Sequence, residues 1–517
     1  MKEKGKDLET YIENMEIKGD YDKSLAIKCL NGIFVGKKDG NVISYKGIPY
    51  AEPPIKNLRF LPPVKLNSSS KVYEAYYFGK VCLQSECVSE MSSYYKQGED
   101  CLTLNIWRNI SNTSIKKPVM VFIHGGAFEW GGSADPLYEG TNLINSYPDI
   151  ILVTINYRIG ILGYINLSIL ENGDKYDKSG NLGTLDQICA LEWIHNNIIN
   201  FGGDPNNVCI FGESAGGCAV SILPLIKETK GLFHHVIAQS GSYQFTNSIE
   251  DSLDTINYII KKTNAKNVND LIKLSENEIK KIIDEFDESI TILPIRDGII
   301  IPKDLYNEYD IFDFSGIDFI FGTNKDEYRY WIKDLGGLDI YKKSVLRLYD
   351  FFISKMDENN KTNVINFINN LKDDEIWNKT EFINEIMFHI PAIAQAEKIC
   401  KRGGKVYMYY WVFPSGYKNF EACHAMEISS IFNNLKNNIY SGGNVNENLS
   451  KCIQNMWINF AKNGNPSIEN YKWNCYNLSG RKTMILGEDI HEEKDILSER
   501  RKLLSSLAKH CQIKFNI

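Results

Sequence analysis

The chain has 517 residues and a formal net charge of −7 from 58 basic and 65 acidic side chains. It therefore carries no cationic excess to neutralise nucleic-acid phosphates. Hydrophobic residues make up 43% and charged residues 24% of the chain, which excludes disordered and fibrous classes and suits a large buried core. We expect a globular protein without nucleic-acid partners.

The first 25 residues are rich in charges and lack the apolar run of a signal peptide, and no later segment has about 18 uninterrupted apolar residues. These patterns predict a cytoplasmic protein with no membrane partner. We expect a charged N-terminal extension over residues 1–28 and a single domain over residues 29–517. The twelve cysteines show no C-x-x-C pair or zinc-type spacing, which predicts reduced, buried thiols and no metal site, with a Cys82–Cys101 bridge left open.

The first predicted elements are a hairpin over residues 32–47, with its turn at Asp39-Gly40, and an extended Pro-containing stretch over residues 47–54. Further on, apolar runs rich in β-forming residues end in Gly, Asn or Ser, as buried parallel strands do. These runs are Val119–Ile123, Ile150–Ile155, Val208–Phe211, Val236–Ala238, Ile317–Phe321 and Val406–Trp411. The alternation of strands and helices predicts an α/β fold with a large, mostly parallel sheet and a small antiparallel N-terminal addition.

Helical patterns lie between these runs. The clearest has apolar positions from Leu185 to Ile198, with Asp186 near its start, where the helix dipole favours negative charge. Residues 248–288 are charged and helical in pattern, and residues 341–395 are helical and rich in aromatic side chains. We expect these two ranges to be insertions that cover the sheet near the active site.

A G-x-S-x-G motif follows the run Val208–Phe211 and precedes a predicted helix. In this context the serine, Ser214, lies on a strained, exposed turn. Gly212 and Gly216 lack Cβ atoms, so that strand and helix can approach each other closely around Ser214. The motif predicts that Ser214 is a nucleophile.

A glycine-rich turn, His124-Gly125-Gly126-Ala127-Phe128, follows the run Val119–Ile123. Such a turn can direct backbone N–H groups at a developing oxyanion. We expect the N–H groups of Gly126, Ala127 and Ala215 to form an oxyanion hole. His124 is expected to be structural.

A serine nucleophile needs an imidazole base and an acid that orients the imidazole. Of the eight histidines, His424 follows the run Val406–Trp411, and two acidic residues, Asp326 and Glu327, follow the run Ile317–Phe321. Position alone does not separate Asp326 from Glu327. The order serine, acid, histidine is that of an α/β-hydrolase.

With these motifs in place, the sequence resembles the type-B carboxylesterase family, which includes cholinesterases and bacterial p-nitrobenzyl esterases. The motifs that carry the resemblance run along nearly the whole chain: YKGIPYAEPP (45–54), EDCLTLNIW (99–107), HGGAF (124–128), NYRIGILGY (156–164), FGESAGG (211–217), GTNKDE (322–327), CHAMEI (423–428) and WINFAKNGNP (457–466). The resemblance implies an α/β-hydrolase fold, a small-molecule ester substrate and no cofactor. It also implies a catalytic triad of Ser214, Glu327 and His424, and thus chooses Glu327 over Asp326.

The sequence departs from its cholinesterase relatives at one position. The place of their choline-binding tryptophan is held by Met91, which argues against cholinesterase specificity. In secreted relatives the cysteine of the EDC motif, here Cys101, forms a disulfide with an upstream cysteine whose place Cys82 roughly fills. Glu213, beside the nucleophile, is expected either to bias substrate charge or hold water, or to be a buried structural carboxylate.

The hypothesis from the sequence is a serine carboxylesterase that works through an acyl-enzyme. The alternatives are a catalytically silent binding scaffold of the same fold, and amidase or lipase activity from the same site. The intact set of Ser214, Glu327 and His424 favours an enzyme over a scaffold.

Overall fold

The computed structural model describes residues 12–85, 96–111, 115–287, 290–371 and 373–510. Within these ranges the strands are β1 (Ala26–Cys29), β2 (Gly32–Val35), β3 (Lys37–Asp39), β4 (Val42–Pro49), β5 (Val72–Glu74), β6 (Thr103–Asn109), β7 (Lys117–Ile123), β8 (Ile151–Ile155), β9 (Gly203–Glu213), β10 (His235–Gln239), β11 (Asp318–Asn324), β12 (Lys405–Trp411), β13 (Lys482–Leu486) and β14 (His491–Lys494).

The α-helices of the same ranges are α1 (Thr141–Ser146), α2 (Gly160–Gly163), α3 (Leu182–Asn197), α4 (Ala215–Ile222), α5 (Ile249–Thr263), α6 (Val268–Ile272), α7 (Glu276–Asp284), α8 (Leu305–Glu308), α9 (Trp331–Asp334), α10 (Leu338–Ser354), α11 (Glu358–Asn369), α12 (Glu375–Asn384), α13 (Ile390–Lys401), α14 (Ile428–Ile431), α15 (Glu447–Asn463) and α16 (Ser498–Leu504). A π-helical turn, Glu385–His389, joins α12 to α13. None of these helices is long and apolar enough to cross a membrane.

The main sheet has the strand order β14-β13-β12-β11-β10-β9-β7-β8-β6-β4-β3. From β13 to β8 all neighbouring strands are parallel, and antiparallel strands extend the sheet at both ends. All six predicted strands lie in the parallel block, which confirms the prediction of a large, mostly parallel sheet. The fold is that of an α/β-hydrolase.

Side chains that alternate along β7 enter two different hydrophobic cores. Val119, Val121 and Ile123 pack into one, and Met120 and Phe122 pack into the other. Because successive side chains of a strand point to opposite faces, the sheet is the layer between the two cores. This double burial explains why the parallel strands are continuous apolar runs in the sequence.

The predicted hairpin is present as β3 and β4, and its turn is displaced by one residue. Asp39 pairs with Val42, so the two turn residues are Gly40 and Asn41, with Gly40 at φ 55°. The hairpin joins the main sheet through β6. A separate three-stranded sheet, β1-β2-β5, lies beside it.

Helix α3 is buried on nearly all sides, since polar as well as apolar residues along it are buried. Asp186 does more than complement the helix dipole, because its carboxylate accepts hydrogen bonds from Arg158 Nε at 2.8 Å and Nη2 at 2.7 Å. Both side chains are almost fully buried. This pair ties α3 to the segment that follows β8.

The two ranges predicted as insertions contain α5 to α7 and α10 to α12. Aromatic and aliphatic side chains of the second range, among them Tyr341, Phe352 and Phe388, form a third hydrophobic cluster. The division of the chain into an extension, one domain and two insertions stays a prediction.

Candidate active site

The residues predicted for catalysis follow strands that are neighbours in the sheet. Glu213, Gln239 and Gly322 lie at the same level across β9, β10 and β11. The segments that carry Ser214 and Glu327 therefore leave the sheet at its carboxyl edge, where open α/β sheets place ligands. His424 lies in the segment after β12, the next strand along.

Ser214 occupies a sharp turn between β9 and α4. Its backbone has φ 58° and ψ −121°, a conformation that costs free energy for a residue with a side chain. The Ser214 N–H donates to Gln239 O at 2.8 Å, and Ser214 O accepts from Cys218 N–H at 2.9 Å. A Cβ at Gly216 would lie 2.0 Å from Ile123 O, so only glycine allows this close packing.

The turn after β7 has an unusual backbone at three successive residues, with φ values of 100° at Gly126, 54° at Ala127 and 61° at Phe128. Its Gly126 carbonyl accepts from the N–H groups of Glu129 and Trp130 at 2.9 and 2.8 Å. Among the described residues, the N–H groups of Gly126, Ala127 and Ala215 donate to no other backbone group. Three donors predicted for an oxyanion hole are thus free to bind a ligand atom.

His124 has the structural role expected from the sequence. Its Nδ1–H donates to Gly125 O at 2.8 Å, and its ring stacks on Tyr157 with centroids 4.5 Å apart. Burial lowers the pKa of His124 to about 4. The ring is therefore neutral near pH 7 and holds the glycine-rich turn.

His424 lies between two carboxylates. Its Nδ1–H donates to Glu327 Oε2 at 2.5 Å, and its Nε2 lies 2.9 Å from Glu213 Oε1. The buried Nε2 thus faces the carboxylate of Glu213, and it makes no hydrogen bond to any other group of the described residues. Aromatic rings enclose the imidazole, with Trp331 at 5.5 Å and Phe388 at 5.1 Å between centroids.

These contacts decide the ionisation of the imidazole. Burial alone would lower the pKa of His424, but the carboxylates of Glu213 and Glu327 raise it well above its ordinary value. Burial raises the pKa of Glu213, and the neighbouring His424 opposes that rise. Glu213 is a buried carboxylate that also lines the cavity over Ser214, and its effect on substrate charge or water stays a prediction.

The two acidic candidates after β11 have different surroundings. Glu327 contacts His424, and its Oε1 accepts Asn324 N–H at 2.7 Å. Asp326 lies 3.3 Å from Arg329 and accepts Ala422 N–H at 3.4 Å. The structure therefore brings Glu327, and not Asp326, to the imidazole.

Two further residues of this site were not singled out from the sequence. Asn324 Nδ2 donates to Cys423 O and to Glu427 Oε2, both at 2.8 Å. Glu427 is buried, which raises its pKa to about 7, and Glu213 adds to that rise. Asn324 lies in the motif GTNKDE and Glu427 in the motif CHAMEI, both quoted above. Their place in these motifs is the sequence feature from which they could have been predicted.

A cavity of about 650 Å³ opens over Ser214 and His424. Both predicted insertions reach it, the first through Phe286 and the second through Arg347. The glycine-rich turn lines it through Gly126 and Ala127. Its Tyr, Trp and Phe lining residues are Trp130, Tyr138, Phe286, Tyr330, Trp331 and Tyr440. A cavity of this size and lining fits a small organic molecule.

Two further sequence-based expectations concern Met91 and the pair of Cys82 and Cys101. Met91 lies outside the described residues. Cys82 and Cys101 are free, buried thiols, and a hydrogen bond with Cys82 is the main cause that raises the pKa of Cys101. No group of three or more His, Cys, Asp or Glu side chains in the described ranges is arranged to hold a metal ion.

The structure thus places a serine on a strained strand-to-helix turn, and a histidine and a glutamate at the same edge of the parallel sheet of an α/β-hydrolase fold. The Carboxylesterase family matches residues 24–503, and the chain belongs to this family. It is a carboxylic-ester hydrolase, which confirms the enzyme class predicted from the sequence.

Similarity to individual proteins extends over most of the chain. The para-nitrobenzyl esterase of Bacillus subtilis (strain 168) is 32% identical over 486 residues, which cover 91% of this chain and 96% of that protein. The cocaine esterase of Homo sapiens is 30% identical over 483 residues, 84% of this chain and 82% of that protein. A solved carboxylesterase of Geobacillus stearothermophilus superposes with a TM-score of 0.83 at 28% identity, covering 93% of this chain and 99% of that one.

Proposed function

We propose that the protein is a serine carboxylesterase in which Ser214, His424 and Glu327 act as nucleophile, base and orienting acid. The observation that carries the proposal is the state of the His424 imidazole. Nδ1 is held by Glu327, Nε2 faces Glu213 at 2.9 Å without a hydrogen bond to any other described group, and His424 lines the same cavity as Ser214. An imidazole so oriented can take a proton from a serine hydroxyl.

In the first half-reaction, His424 Nε2 takes the proton of Ser214 as the serine oxygen attacks the ester carbonyl. The C–O bond to the alcohol then breaks, and the alcohol leaves with the proton held on His424. Water hydrolyses the acyl-enzyme by the same route and returns Ser214 to its hydroxyl form. Glu327 stays ionised throughout and holds the imidazole in the required tautomer.

The tetrahedral intermediates need donors for the negative oxygen. We assign this role to the N–H groups of Gly126, Ala127 and Ala215. Each donor of this kind contributes roughly 2.7–4 kcal/mol to transition-state stabilisation. Their lack of backbone acceptors supports the assignment.

A series of p-nitrophenyl esters, from acetate to decanoate, tests the proposed activity on the purified protein. We expect hydrolysis of the esters with one optimum of acyl length, which reports the size of the acyl pocket. A matched p-nitroanilide separates amidase activity, since an amide has the poorer leaving group. Failure to hydrolyse any ester would contradict the proposal and favour the binding scaffold.

The pH dependence of kcat/KM is expected to report the neutral fraction of His424. Because the two carboxylates raise the pKa of the imidazole, kcat/KM should fall with one protonation as the pH drops through a value above the ordinary histidine pKa of about 6.5. In Glu213→Gln one negative neighbour is lost, so this acid limb should move to lower pH.

The control for this shift is Glu192→Gln, which removes a carboxylate that pairs with Lys65 away from the cavity and should leave the limb in place. A pH profile that is flat between about pH 5 and 8, the range in which histidine titrates, would rule out His424 as the base.

A further inference from the structure

A second histidine and carboxylate lie buried behind the predicted triad and have no part in the mechanism above. They are Glu385 and His389, the first and last residues of the π-helical turn between α12 and α13. His389 Nδ1 lies 3.2 Å from Glu385 Oε1, and both side chains are 2% exposed or less. Isolated π-helical turns within helices occur frequently at functional sites.

This turn contacts the loop that carries Glu327. His389 Nε2–H donates to Asn324 O at 2.8 Å, and Asn324 N–H in turn donates to Glu327 Oε1 at 2.7 Å. Asn384, immediately before the turn, accepts Tyr328 N–H at 2.8 Å. Contacts on both sides of Glu327 therefore fix its backbone to the same helical segment.

The carboxylate oxygen of Glu385 that faces His389 is also held by the C-terminal helix α16. Arg500 Nη1 donates to Glu385 Oε1, and Nη2 donates to Glu381 Oε2, both at 2.7 Å. The planar guanidinium thus bridges two carboxylates one turn apart, a geometry that lysine does not reproduce. A continuous set of hydrogen bonds and ion pairs runs from α16 through Glu385, His389 and Asn324 to Glu327.

We propose that Arg500 and His389 are positioning residues for the triad, a proposal that rests on the proposed function. They set the place of Glu327 and, through Glu327, the orientation of His424. Neither side chain lines the active-site cavity, so both act through Asn324 and not on the substrate. Ester hydrolysis thereby depends on the docking of the C-terminal helix. The competing account is that these buried charges contribute only to stability.

Two neighbouring arginines of α16 separate these accounts. Arg500→Gln removes the contact to the turn, while Arg501→Gln removes a comparable two-point ion pair, to Asp495. We expect Arg500→Gln to lower kcat for a p-nitrophenyl ester by about 10- to 100-fold with little change in KM, because small displacements of catalytic groups have effects of this size. Arg501→Gln should keep the kcat of the parent enzyme.

A double-mutant cycle tests whether the effect passes through Glu327. If Arg500 acts by placing this carboxylate, Arg500→Gln should cause little further loss of kcat once Glu327→Gln is present. Equal losses in both backgrounds, or equal kcat values for the two arginine variants, would overturn the proposal. Either of these results could occur while the parent enzyme hydrolyses the ester and Ser214→Ala does not. A failure of the positioning proposal is therefore distinguishable from a failure of the proposed function.

Two substitutions of His389 keep the test available if Arg500→Gln does not fold. His389→Gln retains an N–H donor at the reach of Nε2 and should keep most of the parent kcat, whereas His389→Ala has no donor to Asn324 O and should show the 10- to 100-fold fall. Equal kcat values for these two variants, at equal thermal unfolding midpoints, would contradict the positioning role.

Discussion

Ser214→Ala is expected to lower kcat for p-nitrophenyl ester hydrolysis by roughly 10³- to 10⁶-fold, the range found when the nucleophile of a serine hydrolase is removed. The loss has a chemical cause, since alanine has no hydroxyl to attack the ester carbonyl. The fold should be unchanged, because the Ser214 hydroxyl makes no capping hydrogen bond to α4 and none to His424. The measurement is steady-state kinetics beside a thermal unfolding curve.

The matched control for this loss is Ser221→Ala, a buried serine on the same helix whose hydroxyl donates only to Cys218 O. It does not line the cavity and should keep kcat within about tenfold of the parent, a change of at most 1.4 kcal/mol in the barrier. Residual activity of Ser214→Ala close to that of Ser221→Ala would mean that another group performs the chemistry.

The second large effect on kcat is expected for substitution of Glu327, the proposed triad acid. Glu327→Gln should lower kcat by about 10⁴-fold, because the new amide cannot stabilise the imidazolium and favours the wrong tautomer of His424. Glu327 Oε2 lies 2.5 Å from His424 Nδ1, so the orientation of the proposed base depends on this carboxylate. Kinetics with the ester of the optimal acyl length measure the loss.

Asp326→Asn is the control, because it changes the neighbouring carboxylate in the same loop. Asp326 pairs with Arg329 and not with His424, so kcat should stay within about tenfold of the parent. If Asp326→Asn were the more damaging substitution, with both variants folded, the assignment of the triad acid would be wrong.

The sequence allowed the parallel part of the sheet to be predicted for a physical reason. Strands buried on both faces must be apolar throughout, so β7 to β12 are visible as apolar runs. The strands β6, β13 and β14 of the main sheet, and β1 and β5 of the small sheet, were not predicted. β14 consists of His, Glu and Lys residues and is an edge strand, and charged edge strands depend on pairing that no local pattern reveals.

The residues of the candidate site also differ in how far the sequence alone predicts them. Ser214 and the glycine-rich turn belong to local motifs whose backbone geometry requires particular residues, so that sequence suffices to predict them. Position could not separate Asp326 from Glu327, since they are adjacent in one loop. The family resemblance chose Glu327, and Glu327 is the one that contacts His424. Arg500 and His389 carry no motif, and their relation to Glu327 depends on the packing of helices that are distant in the chain.

The most direct test of the central claim is covalent labelling of the nucleophile. We would incubate the protein with diethyl p-nitrophenyl phosphate, a phosphate ester whose phosphoryl group a serine nucleophile retains, and locate the label by peptide mass spectrometry. The account predicts release of one p-nitrophenolate per chain, loss of esterase activity and a diethylphosphoryl group on Ser214, with no label in Ser214→Ala. Labelling at another residue that accompanies the loss of activity would contradict it.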